Sequence, residues 1–353
     1  VVAVLVILDG ASEPLHDGEP TSLELARTPA LDRLARAGEL TRLRTVAPGL
    51  VAGSEAAIPA LLGWMPTAPV DRGALEAAAH DVAVGPGERA WRVDVVGRPG
   101  AAAVARAVAA LRAAAPSHAV HALRGHRLLV VGAPPLPLLA GPSPPPLRPA
   151  PAPLGPGVYR VWSSMDAKLD TPPGLRAWAE GVVPPIVLDA RTVVIGARGA
   201  AVGAARLMGA ATIVPDGATG VPGSDLGAKA VAALEAIAAG ARRVVVHVGG
   251  ADEAAHMRDR SAKVACIERA DAQLVAPLAA AVARAAGTLM ACPDHGCDPR
   301  TGAHDATPVP CVTWSPARSR DLPSAAPQRR LTERAVRDLP VAHLPSANLG
   351  VAA

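Results

Sequence analysis

Short apolar runs alternate with segments whose apolar positions recur every three or four residues. That alternation predicts an α/β protein with a largely parallel sheet. Val1 to Leu8 reads as a buried strand, with Asp9 at its carboxyl end and Gly10 making the turn. The same reading gives strands at Thr192 to Ile195, Thr212 to Val214, Arg243 to Val248, Thr288 to Ala291 and Pro308 to Trp314. Helical spacing marks a segment opening at Thr28, with that threonine as its cap and Pro29 at the first helical position. It also marks Ala200 to Leu207, Ala228 to Ala239, one long helix from Arg258 to Val282, and a short helix near Thr332 to Leu339.

The rhythm changes after Trp64-Met65-Pro66. Alanine-rich helical segments, Leu75 to His80 and Ala101 to Ala115, alternate with strands at Trp91 to Val96 and Arg127 to Val131. A proline-dense stretch from Pro134 to Pro156 follows, with the character of an extended polyproline loop. The expected organisation is a discontinuous core, residues 1–72 and 183–353, with residues 73–182 as an inserted smaller α+β domain.

Composition narrows the picture. Half of the 353 residues are apolar, yet there is no Phe and one Tyr, so Val, Leu, Ile and Ala must fill the core. The net charge of +4 is scattered arginine without interleaved aromatics, which argues against nucleic acid as a partner. The apolar start, Val1 to Leu8, is too short to span a membrane and lacks a basic flank, so neither a membrane partner nor a signal peptide is expected. Cys266, Cys292, Cys297 and Cys311 show no CxxC spacing, which fits a reducing cytoplasm. Cys292 and Cys297 flank candidate metal ligands and stand as alternative donors.

The chemistry collects where strands end. Asp252 and His256 follow the Arg243 to Val248 run through two glycines and fall one helical turn apart. Asp294-His295 follows the Thr288 run, and His304 lies a short polar loop later. Ser54 follows Gly53 at the start of an apolar helical run, where backbone N–H groups and the helix dipole favour an anion. Singly, Asp9 would serve as a turn residue and Ser54 as a cap. Together, Asp9, Ser54, Asp252, His256, Asp294, His295 and His304 supply oxygen and nitrogen donors for two divalent ions. Manganese or zinc suits such mixed sets, while calcium prefers oxygen alone. Two ions with a serine between them suit phosphoryl transfer through a phosphoserine.

These residues carry a family resemblance. Leu8-Asp9-Gly10, the run Ala26 through Ala35, Gly53-Ser54-Glu55, Asp252 through His256, Pro293-Asp294-His295 and Gly302-Ala303-His304 resemble, in order, the alkaline phosphatase superfamily. Leu61 through Trp64, Lys263 through Asp271 and His304 through Pro310 narrow the likeness to archaeal-type, cofactor-independent phosphoglycerate mutases. The resemblance implies an alkaline-phosphatase-like doubly wound sheet core with the insert as a lid domain. It implies one ion at Asp9, Ser54, Asp294 and His295, and another at Asp252, His256 and His304. Manganese comes first, with zinc, magnesium or cobalt as alternatives. It implies that Ser54 exchanges a phosphoryl group with 3-phosphoglycerate and returns it to form 2-phosphoglycerate, a step of glycolysis, with the glycerate held meanwhile.

Trp91-Arg92-Val93-Asp94 resembles a mutase segment whose Arg contacts substrate, and Lys229 matches a family lysine. Arg92, Asp94, Arg124 and Lys229 are therefore the candidate substrate residues, with Arg127 beside them. Departures concern substrate handling. Val93-Asp94 stands for a usual Cys-Asn, Glu55 for Asp, Met257-Arg258-Asp259 for Asp-Gly-Asp, and Ala140-Gly141-Pro142-Ser143 for a Pro-His-Asp segment. A phosphatase or phosphono-compound hydrolase on the same core, and a metabolite-binding paralogue without catalysis, stay open at this point, as does the oligomeric state.

Overall fold

The computed structural model describes residues 1–95, 100–134, 158–161, 175–178, 181–318 and 329–344. Val96, the proline-rich stretch beyond Pro134 and residues 140–143 lie outside them. The chain first forms β1 (Ala3–Leu8), α1 (Ser22–Leu25), α2 (Pro29–Ala37), β2 (Glu39–Arg44), α3 (Ser54–Leu62) and α4 (Arg72–Ala79). Next come β3 (Arg89–Val95), α5 (Ala101–Ala114), β4 (Ala119–Ala122), β5 (Arg127–Gly132), β6 (Val158–Val161) and β7 (Leu175–Trp178). Then follow β8 (Thr192–Ile195), α6 (Ala200–Leu207), β9 (Ala211–Ile213), α7 (Leu226–Ala238), β10 (Arg243–Val248), α8 (Gly250–His256) and α9 (Arg260–Ala270). Last are α10 (Ala276–Arg284), β11 (Thr288–Cys292), β12 (Gly296–Asp298), β13 (Ala303–Asp305), β14 (Val309–Trp314), α11 (Glu333–Val336) and β15 (Val341–His343).

The chain divides into two compact units, Val1–Thr67 with Pro184–Ala353, and Ala68–Val183. The larger unit holds an eight-stranded mixed sheet in the order β15-β2-β14-β11-β1-β10-β8-β9. Only β14 runs against the others, since it is antiparallel to both β11 and β2 while the remaining pairings are parallel. Every residue of β1 is buried, which is why it reads as a continuous apolar run rather than an alternating one. It lies between β11 and β10, pairing Ile7 with Cys292 and Leu8 with Val248. These three central strands therefore end side by side at one edge, where open α/β sheets present their ligand residues.

Two expectations are corrected here. Thr28 does not cap α2 with its side chain. The Asp271 carboxylate does so from a distance in sequence, accepting the Ala30 and Leu31 N–H groups at 3.0 and 2.7 Å. The long helix from Arg258 to Val282 is also interrupted, by a π-helical turn at Asp271–Val275 between α9 and α10. Pro277 has no N–H to continue the ladder, and the Ala276 N–H instead bonds Asp271 O, five residues back.

The smaller unit holds a five-stranded antiparallel sheet, β4-β5-β3-β7-β6. Its core gathers Trp91, Val93, Val95, Leu111, Leu128 and Val130. Among the described residues no helix is long and apolar enough to cross a membrane.

Candidate metal and phosphoryl-transfer site

Three adjacent strands each deliver a carboxylate at the same edge. Asp9 follows β1, Asp252 lies in the first turn of α8 after β10, and Asp294 follows β11. Gly10 makes this crowding feasible. Its φ is +59°, and a Cβ built on it would stand 2.5 Å from Asp252 Oδ1.

Asp9, Asp294 and His295 bring one donor atom each within 4.8 Å of one another. Ser54 joins them from the first residue of α3, its hydroxyl 3.2 Å from Asp9 Oδ1 and 3.3 Å from His295 Nε2. Helix α3 holds that hydroxyl rigidly because Ala56 through Leu62 are all buried. Arg243, at the start of β10, donates to the Leu61 and Leu62 carbonyls at 2.6 and 3.0 Å, satisfying the helix's last turn.

A second group gathers Asp252, His256, His304 and Cys297, again with donor atoms within 4.8 Å of one another. His256 Nδ1 donates to Gly302 O and His304 Nδ1 to Ala52 O, both at 2.9 Å, which turns the two Nε2 atoms inward. Those Nε2 atoms face each other at 2.9 Å. Asp252 stands 3.3 Å from each, through Oδ2 to His256 and Oδ1 to His304. The rings of His295 and His304, with centroids 4.2 Å apart, join the two groups.

Electrostatics tests whether a cation belongs here. Asp294 Oδ1 accepts the Gly10 and His295 N–H groups at 3.0 and 2.8 Å, which aims Oδ2 into the site. That Oδ2 and Asp252 Oδ1 are buried without a hydrogen bond. Leaving such oxygens unpaired costs about 1–3 kcal/mol each, more when charged. Burial, then the Asp294 and Asp252 charges, push Asp9 well above the usual carboxylate range. Burial disfavours protonation of His256, but Asp252 outweighs it and lifts the imidazole to about 9. Only one of two Nε2 atoms facing at 2.9 Å can hold a proton. Divalent ions would take both nitrogen lone pairs and the orphaned oxygens, so the donors fit the group.

All seven residues proposed at the sequence level as metal ligands thus converge. The other candidates are placed as follows. Lys229, on α7, is fully buried and donates to His247 O at 2.8 Å, and burial pushes its pKa down to about 8. In the smaller unit, Arg92 is 4 % exposed and spans Glu76 and Asp94, with bonds of 2.6 Å to each. Arg124 is exposed in the turn between β4 and β5, and Arg127 opens β5.

Sequence reasoning missed His247. It sits in β10 opposite Ile7, is buried, and places Nε2 3.0 Å from Asp9 Oδ2. Burial pulls its pKa down to about 4, so it is neutral near pH 7, and its hydrogen bond with Asp9 Oδ2 leaves Oδ1 toward Ser54. Sequence reasoning also missed the Lys263 anchor. This buried ammonium donates to Ser12 O, Cys297 O and Glu13 Oε2 at 3.0, 2.7 and 2.9 Å, tying together the segments that follow β1 and β11. Of the two cysteines flagged as alternative donors, Cys297 joins the second group, while Cys292 lies beside Cys311.

A cofactor-independent phosphoglycerate mutase from Thermoplasma acidophilum has a fold alignable with 96% of this chain and 95% of its own, at TM-score 0.52 and 15% identity. The PH0037 protein from Pyrococcus horikoshii aligns more closely, at TM-score 0.72 and 21% identity over 95% of this chain and 92% of its own. Both share the α/β fold. A 2,3-bisphosphoglycerate-independent phosphoglycerate mutase 1 from Archaeoglobus fulgidus is 30% identical, with 88% of each chain covered. Residues 2–336 match the Metalloenzyme superfamily as a whole. With its paired donor clusters at adjoining strand ends, the chain belongs to the metalloenzyme superfamily.

Proposed function

We propose that this protein is an archaeal-type, 2,3-bisphosphoglycerate-independent phosphoglycerate mutase, an isomerase that interconverts 3-phosphoglycerate and 2-phosphoglycerate through a phosphoserine at Ser54. The observation that carries the reading is the Ser54 hydroxyl at a helix N-terminus, in contact with Asp9 and His295 and beside two donor clusters. The 30% identical Archaeoglobus relative supports the choice of reaction.

On this reading Asp9, Ser54, Asp294 and His295 hold one divalent ion, and Asp252, His256 and His304 hold the other. The oxygen-rich first set favours manganese. When bound, the ions supply positive charge that favours the ionised serine oxygen and offsets charge on the phosphoryl oxygens. Ser54 loses its hydroxyl proton and its Oγ attacks phosphorus, the bond to the glycerate 3-oxygen breaks, and that oxygen takes up one proton in place of the one Ser54 gave up. The 2-hydroxyl of the retained glycerate then attacks phosphorus, loses its proton, and releases Ser54. The dipole of α3 favours the phosphoryl group throughout. His247 keeps Asp9 oriented.

In this proposal Arg92 and Arg124 serve the glycerate carboxylate and Asp94 its hydroxyls. Lys229 supports the phosphoryl side from α7. The protein acts in the cytoplasm, a setting consistent with four unpaired cysteines.

Phosphorus NMR of the metal-loaded protein with 3-phosphoglycerate tests the reading. Formation of 2-phosphoglycerate without free phosphate is expected. Free phosphate alone would keep Ser54 and the ions but make the protein a phosphatase. No conversion with any divalent metal would sink the reading.

A further inference from the structure

We propose that Cys297 is the fourth protein donor of the Asp252, His256 and His304 centre, and that its thiolate makes this centre selective for zinc. The inference rests on the reading of the site as a metal centre and goes beyond it, because it adds a ligand and divides the two sites by metal.

The placement begins with the β12/β13 ribbon. Gly302 turns the chain with a φ of +72°, and the ribbon pairs Cys297 directly with His304. Directly paired residues of an antiparallel ribbon project to the same face. Cys297 therefore points where His304 points, toward Asp252. The backbone on this side is held from both directions, since the Cys297 N–H donates to Ser12 O at 2.8 Å and Lys263 donates to its carbonyl at 2.7 Å. The side chain is completely buried, its sulfur lies 3.9 Å from His256 Nδ1, and it comes within 4.8 Å of one donor-type atom on each of Asp252, His256 and His304.

A buried thiol is often mere packing. Two observations set this one apart. Among the described residues, Cys297 is the sole cysteine of four in a metal-competent donor group. The group also contains a buried carboxylate oxygen, Asp252 Oδ1, without a hydrogen bond, on a residue only 9 % exposed. One carboxylate, two imidazoles and one thiolate are all donor types that zinc takes, and the phosphoryl group would add to them as a further ligand. Manganese prefers oxygen donors, as in the set of Asp9, Asp294 and Ser54 with His295. Coordination replaces the S–H bond with a sulfur–metal bond and releases one proton to solvent.

The test is zinc X-ray absorption on the zinc-loaded protein, alongside Cys297→Ser and Cys297→Ala. A sulfur shell at about 2.3 Å beside nitrogen and oxygen at about 2.0–2.1 Å is expected in the wild type. The shell should vanish in both variants. Loss of an outer partner alone costs metal sites about 10–100-fold in affinity, so zinc binding at this centre should fall at least about tenfold in the variants. Manganese binding at the other centre should not change. Zinc bound through nitrogen and oxygen alone in the wild type would overturn the inference while leaving the metal-centre reading intact. That spectrum needs no variant to fold. A sulfur shell persisting in Cys297→Ser would assign the bond to another cysteine and also overturn it. No retained zinc would overturn the inference, and failure to retain any divalent ion would remove the metal-centre reading as well.

Discussion

Each unit buries a cluster of charge, and the two clusters are finished differently. In the smaller unit Arg92 reaches Glu76 and Asp94 at 2.6 Å, its guanidinium lies 5.9 Å from the Trp178 ring centre, and Arg72 also reaches Glu76 at 3.2 Å. Charges there balance within the protein. In the larger unit three carboxylates, Asp9, Asp252 and Asp294, converge with imidazoles and a hydroxyl, and two of their oxygens are buried without a hydrogen bond. A cluster that closes on itself builds a scaffold. One that is short of positive charge is built to receive it. The contrast also bears on Arg92 as a substrate residue: to hold a carboxylate it must exchange one of its present partners.

The sharpest way to break this contrast is at the open cluster. Ser54→Ala should lower turnover by about 10⁴-fold or more, the order expected when a nucleophile is lost. Circular dichroism should show an unchanged fold, because Ser54 makes no contact that the apolar body of α3 depends on. Retained turnover would refute the role of the serine.

At the closed cluster the large effect should be on stability. Arg92→Met takes the buried guanidinium from both carboxylates, leaving Glu76 to Arg72 and Asp94 to the Trp178 N–H, and should cost about 3–5 kcal/mol, read from denaturant unfolding. A cost below about 1 kcal/mol would show that the cluster is more open than its burial indicates.

Metal should distinguish the clusters in the opposite sense. Adding a divalent ion at a hundredfold excess over its Kd should stabilise the chelator-treated protein by about 2.7 kcal/mol, seen as a rise in Tm. Arg92→Met should leave that gain intact. An ion that gives no shift would argue against a preformed site.

Gly10→Ala should be milder on the fold but directed at the site. A non-glycine residue held at φ +59° costs about 1–3 kcal/mol. Its Cβ would also press on Asp252, so metal affinity should fall with stability, as titration calorimetry would register.

Acid should give the smallest effect. Burial opposes ionisation of Glu76 and Asp94, but the Arg92 charge outweighs it and holds both below the ordinary carboxylate range. Their contribution is therefore full above about pH 4, the unfolded value, and is lost as pH falls through the folded values. Acid unfolding followed at Trp91 and Trp178 should begin below that pH, and Arg92→Met should shift its onset upward.

Much of the larger unit was legible in sequence because its strands are buried on both faces. Such strands read as unbroken apolar runs, and the candidate ligands follow them directly, as Asp9 follows Leu8. Asp252 and His256 were legible through helical spacing. What escaped was set by neighbours distant in the chain. His247 looks like one polar interruption in a valine run, and only the placement of β10 beside β1 brings it to Asp9. The β12/β13 ribbon has three-residue strands, Gly296–Asp298 and Ala303–Asp305, around a turn with Pro299 and Gly302, and reads as loop, so the pairing of Cys297 with His304 is invisible locally. Strand β2 escaped because its charged and apolar positions do not alternate cleanly. The cap on α2 is hidden from the sequence for a similar reason. Thr28 has the right chemistry in the right place, but Asp271 reaches the same N–H groups from the π-helical turn.

In the proposed function Ser54 carries the phosphoryl group between two forms of one substrate. The most direct measurement is peptide mass spectrometry of the manganese- and zinc-loaded protein, quenched in acid during turnover of 3-phosphoglycerate. A phosphate adduct is expected on the peptide containing Ser54, absent when substrate is omitted and absent in Ser54→Ala. Turnover with the adduct on another residue, or with none at any quench time, would contradict it.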